Sequence, residues 1–135
     1  MTTPAALRAT IDLPAIPRSV PTARTVLAQL LSAWAAEPLR ENAELLVSEL
    51  VTNVVRHVGG DMAMQVEVAL TAPALRVSVV DASAVAPTRR TPSADGGYGM
   101  SLLEIVADRW GVQEDPAGKR VWFELRRHDR STRKP

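Results

Sequence analysis

The sequence predicts an α+β domain: a two-layer sandwich in which helices cover one face of a mostly antiparallel, mixed sheet. Three observations carry this. Residues 62–70 and 75–79 each alternate apolar with polar side chains, and only the Ala72-Pro73 turn separates them, as in a hairpin. Residues 38–58 carry apolar side chains at helical spacing instead. Hairpins interleaved with helices in a chain of 135 residues then favour one sheet with helices packed against it, in a single domain.

In chain order, residues 8–13 read as a short strand. Ser19 stands where an N-cap belongs and Pro21 falls in the first turn of a helix running to about Trp34. The second helix spans about 38–58 and stops at Gly59-Gly60. The two alternating strands follow. Residues 82–98 form a long connection rich in Pro, Ser, Thr and Gly, a length that inside a compact domain marks a functional or mobile loop. A third helix is expected over about 100–107, then strands near 110–114 and 120–125 joined by Pro116-Ala117-Gly118. These elements place the domain at residues 8–126. Residues 1–7 are expected to be disordered. Residues 127–135 are expected to form a basic flexible tail, with Arg127, Arg130, Arg133 and Lys134 against the single acid Asp129.

Composition excludes several functions. A net charge of +1 argues against a general polyanion-binding surface, and no strand shows the basic, aromatic-studded face of a nucleic-acid binder. With no cysteine, disulfides, thiolate zinc sites and thiol catalysis are ruled out. No apolar run approaches the ~20 residues that cross a bilayer, and the N-terminus lacks the pattern of a secretory signal. The expectation is a cytoplasmic protein that contacts neither membrane nor nucleic acid directly.

Three features depart from a purely structural pattern. On the second helix, Ala43, Val47, Leu50, Val51, Val54 and Val58 form an apolar stripe, while Glu49, Asn53, Arg56 and His57 gather within about 100° of arc elsewhere. That cluster reads either as a solvated face or as a site, since Glu and Asn one turn apart can hold a metal ion or polarise a hydroxyl. Leu45 and Leu46 flank the stripe, which argues against a plain outer surface. Asp81, counted by twos from Leu75, Val77 and Val79, falls on the buried parity. Either the strand has ended and Asp81 opens a turn, or its carboxylate enters a pocket and accepts a hydrogen bond from an amino group. Third, Asp95-Gly96-Gly97-Tyr98-Gly99-Met100-Ser101 precedes a helix. Glycines there allow close backbone approach, and the helix N-terminus favours an anion.

In this order and spacing the three features resemble the GHKL (Bergerat-fold) ATPases, over about residues 8–126. Ser48-Glu49-Leu50-Val51-Thr52-Asn53-Val54-Val55-Arg56-His57 resembles the N-box, Val79-Val80-Asp81 the start of the G1 box, and Gly97-Tyr98-Gly99-Met100 the G2 box. Ala107-Asp108-Arg109-Trp110-Gly111 and Val121-Trp122-Phe123-Glu124-Leu125 resemble the ends of the stand-alone actinobacterial members, which are grouped with anti-sigma factor serine kinases.

The resemblance implies ATP and Mg²⁺ as cofactors. It assigns Asn53 to the metal and Glu49 to activation of the attacking hydroxyl. Asp81 would accept from the adenine amino group, and Gly97 and Gly99, with Met100 and Ser101 behind them, would lie against the phosphates beneath a lid formed by 82–98. Arg56 and His57 become phosphate neighbours. The implied partners are a sigma factor and an anti-anti-sigma (STAS) protein that is phosphorylated on serine, and family members often work as homodimers. A second reading keeps the fold but makes the chain a binding module with weak or no ATP turnover. The chain departs from the family where the G1 box continues as Ala82-Ser83-Ala84-Val85 rather than with two glycines. It departs again where Arg120 stands for the threonine expected before the final strand.

Overall fold

A computed structural model describes residues 6–60, 62–81, 102–116 and 118–127. Five strands form one sheet: β1 (Leu7–Pro14), β2 (Ala63–Leu70), β3 (Ala74–Asp81), β4 (Arg109–Asp115) and β5 (Gly118–Arg126). Their order across the sheet is β1-β2-β3-β5-β4, and all four neighbouring pairs run antiparallel. Two long helices, α1 (Ser19–Ala33) and α2 (Arg40–His57), pack on each other, with α2 lying against β3 and β5. Residues 102–106 add a helical segment before β4. The two-layer α+β sandwich is as expected.

Side-chain alternation makes the layers. Met64, Val66, Val68 and Leu70 on β2 and Leu75, Val77 and Val79 on β3 turn inward and are buried, as are Phe123 and Leu125 on β5. Against them lie Ala43, Leu46, Val47, Leu50, Val51 and Val54 of α2, and Ala23, Leu27 and Leu31 of α1. Each Val or Leu so enclosed contributes roughly 1.5–3 kcal/mol. With one Phe in the chain, this core is built from aliphatic interlock.

Three local expectations are corrected. Ser19 is not the N-cap of α1: that position is Arg18, with no side-chain cap bond, and the buried Ser19 hydroxyl donates to the Pro14 carbonyl at 2.6 Å. The hydroxyl ties the helix to the end of β1 instead, and Pro21 suits the first turn because no N–H is needed there. The second helix begins at Arg40, because Glu37–Leu39, with Pro38 inside it, winds as a 3-10 turn. Leu45 is 42% exposed whereas Leu46 is fully buried, so only the latter flanks the apolar stripe from inside.

Both helices stop by backbone geometry. Gly59 and Gly60 take φ of 63° and 69°, ending α2 where sequence placed its stop. At the end of α1, Ala35 holds φ 58°, with its N–H donating to Ser32 and that of Ala36 to Leu31. This is the Schellman arrangement with alanine at the position glycine prefers.

On the outer face Trp122 lies flat over Gly111, where a Cβ would come within 2.9 Å of its ring. The Arg76 guanidinium stacks 3.9 Å from the ring centroid, and Arg76 and Arg109 both donate to Glu124. Two outcomes follow. Ala35→Gly should stabilise the protein by about 0.5–1 kcal/mol, since it removes the left-handed penalty of a Cβ. Gly111→Ala should destabilise it by roughly 1–3 kcal/mol through overpacking against Trp122. Urea unfolding of both variants beside the wild type measures each shift.

Candidate functional site

Asp81 is the last residue of β3 and is 2% exposed. Of the two readings left open for it, the strand continues. β3 is flanked by β2 and β5, and both hold it to its end: Met64 stands opposite Asp81 on one side and Lys119 on the other. Asp81 therefore keeps the inward parity of Val77 and Val79 and puts a carboxylate at the margin of an apolar face. An ionised group there must be met by polar partners, which distinguishes this end of the sheet from the rest of the core.

The C-terminal half of α2 belongs to the same end. α2 finishes at His57, β2 starts at Ala63, and its second residue, Met64, is the cross-strand neighbour of Asp81. So short a link keeps the end of α2 within roughly 20 Å of β2. Along α2, Leu46 is buried, while Glu49 and Asn53, one and two turns further on, are half-buried. The strip that is covered at Leu46 thus opens at Glu49 and Asn53. Arg56 and His57 are exposed, so the four polar residues do not share one environment.

Among the described residues, no three His, Cys, Asp or Glu side chains gather as a metal cage. The donor set nevertheless fits Mg²⁺, which takes one or two protein oxygens and fills its other positions with phosphate and water. The Asn53 carboxamide could supply one such oxygen. The buried carboxylate of Asp81 likewise fits an amino group of a base. Gly97, Gly99, Met100, Ser101 and the 82–98 connection lie outside the described residues. Two concavities, of about 500 Å³ between α1 and α2 and about 570 Å³ on the outer sheet face, involve none of Glu49, Asn53 or Asp81. They do not coincide with the chemistry identified above.

Arg120 stands where the resemblance leads one to expect a threonine. By register Arg120 pairs with Val80 and shares the outer face with Glu67, to which its guanidinium donates. The residue opposite Asp81 is Lys119, which sequence reasoning passed over. Counting back by twos from Phe123 and Val121 would have found it, since those two residues fix the inward parity of β5.

Helices cover one face of an antiparallel sheet, a buried carboxylate ends its central strand, and an amide and a carboxylate stand one turn apart on α2. Comparison with known proteins gives the class of this fold. The crystal structure of the RsbU and RsbW domains of Rv1364c from Mycobacterium tuberculosis shares the fold, with a TM-score of 0.66 at 19% identity over 89% of this chain. This chain corresponds to 32% of that one. No curated protein matches the sequence. The histidine kinase-like ATPase domain family matches residues 13–125, and the chain belongs to that family. No helix among the described residues is long and apolar enough to cross a membrane.

The placement of Arg120 is testable. Arg120→Thr should leave nucleotide affinity within about twofold. Its pair with Glu67 is partly exposed, so the substitution should cost no more than about 1 kcal/mol of stability. Nucleotide titration and urea unfolding of one variant measure both.

Proposed function

We propose that this chain is a cytoplasmic, ATP-dependent protein serine kinase of the anti-sigma type. It holds a sigma factor and phosphorylates a serine on an anti-anti-sigma (STAS) protein. We take residues 8–126 as the ATP-binding unit, flanked by 1–7 and the basic 127–135, with a homodimer as the working assembly. One observation carries the reading: Asp81 is a buried carboxylate at the end of β3, paired with the start of β2, and the helix that leads into β2 carries the half-buried Glu49 and Asn53. Membership of the histidine kinase-like ATPase family supports the ATP.

The residues divide the work. Asp81 accepts a hydrogen bond from the adenine amino group, and burial makes that bond discriminating because an unmatched base would leave the carboxylate unpaired. Asn53 turns its carboxamide oxygen to Mg²⁺, which when bound neutralises charge on the phosphates. Glu49, one turn before Asn53, takes the proton from the serine hydroxyl as it attacks. At the exposed end of α2, Arg56 adds positive charge and His57 a ring N–H toward the phosphates. Gly97 and Gly99, followed by Met100 and Ser101, supply backbone N–H groups to the same anion. Phosphoryl transfer asks mainly for positioning and charge neutralisation, which this set provides. The binding-module reading is favoured by one sequence feature, the continuation of Asp81 as Ala82-Ser83 instead of glycines.

The test combines binding and transfer. With Mg²⁺, ATP should raise the melting temperature by mass action. Asp81→Asn should shrink that rise and the preference for ATP over GTP, by about 1–3 kcal/mol. Asn53→Ala should lose metal-dependent binding and transfer together. Glu49→Gln should bind ATP and sigma factor normally yet lose radiolabel transfer to a STAS partner by roughly 10²–10⁴-fold. A wild type that binds partners and labels none of them would establish the binding module instead. Absence of any thermal shift at millimolar ATP would remove the nucleotide altogether.

A further inference from the structure

The inner face of the sheet ends in a row of charge. By register Met64 stands opposite Asp81, Asp81 opposite Lys119, and Lys119 opposite Glu114 on β4. Lys119 has the inward parity, two residues before Val121 and four before Phe123, both of them packed in or against the core. Directly opposed residues on antiparallel strands hold their Cβ atoms about 4.5–5.5 Å apart. Lys119 is thus a half-buried cationic residue directly across the strand pair from Asp81. Lys119 forms no ion pair with another described residue, and its ammonium carries three N–H donors within a side chain's reach of that end of the sheet.

We propose that Lys119 is a specificity-determining residue that reads the purine base together with Asp81. Asp81 accepts from the exocyclic amino group, and Lys119 donates to one of the ring nitrogens beside it, N1 or N7. This rests on the ATP reading given above. In adenine the amino donor lies between those two acceptors, so a carboxylate and an ammonium one strand apart match it at adjacent atoms. Guanine carries the acceptor O6 where adenine carries its amino group, and that oxygen would face the carboxylate. The discrimination comes from the mismatch as much as from the match. Lys119 takes no part in proton or phosphoryl transfer; its role is confined to the base.

Calorimetric titration of the full chain with ATP, 1-deaza-ATP and 7-deaza-ATP, in Mg²⁺, tests the contact. Lys119→Met should weaken ATP binding by about tenfold or more, while Lys119→Arg keeps most of the affinity. The analogue lacking the nitrogen that Lys119 touches should bind the wild type more weakly than ATP does, yet bind Lys119→Met no worse than ATP does. That non-additivity with one of the two analogues is the signature of direct contact. Should Lys119→Met not fold, as judged by its melting transition without nucleotide, Lys119→Gln completes the same cycle. Unchanged ATP affinity in the variant overturns the proposal, as do additive losses with both analogues, which would mean that the ammonium acts only through the field at Asp81. A wild type that binds none of the three nucleotides overturns the ATP reading itself, a result distinct from either of these.

Discussion

The apolar stripe of α2 must be buried, and among the described residues the inner side of β2, β3 and β5 takes it. Leu46, Val47, Leu50, Val51 and Val54 on the helix meet Val66, Val77, Val79 and Phe123 on the strands in one aliphatic core. That contact decides which face of every strand is inner, because a slip of one residue would turn an entire strand inside out. It also decides the far side of the molecule. Among the described residues the helices lie on one face, and the other carries the stack of Arg76 on Trp122 and the convergence of Arg76 and Arg109 on Glu124. Gly111 permits the indole to lie flat there, and the ring's Nε1 is left without a hydrogen-bond partner against the backbone it covers.

An acid at the end of this core runs against its composition. Val77 and Val79 gain by burial, whereas Asp81, next on the same face, loses hydration that polar contacts have to replace. Violations of this kind concentrate where a protein binds something, because stability alone would have placed a fourth aliphatic there. The neighbouring inward positions on β5 and β4 continue the departure with Lys119 and Glu114. Polar character at this end of the sheet is therefore a property of several strands and not of one residue.

Much of this was legible without coordinates. The alternation 64, 66, 68, 70 and 75, 77, 79 is a period-two signal with turn residues between, and the helix stop at Gly59-Gly60 is a backbone preference that needs no partner. The buried parity of Asp81 was legible too, but the counting could not say whether the strand reached that far. Pairing to Met64 and Lys119 on both sides settles it, and pairing is a property of β2 and β5 rather than of β3. Ser19 shows the reverse case: the residue type was right for a cap, but the nearby Pro14 carbonyl took its hydroxyl.

Periodicity, glycine and proline determined the elements and their inward faces, since these depend on each residue and its near neighbours along the chain. Which residues of different elements meet was decided only in three dimensions. Leu45 and Leu46 are adjacent and chemically identical, yet one is exposed and the other buried, because the ~100° step between them carries Leu45 out of the packed side of α2. Arg120 and Lys119 are likewise adjacent cations. The pleat sends one to Glu67 on the open face and the other to the side of Asp81, and a strand's pleat acquires an inside and an outside only when a helix packs against it.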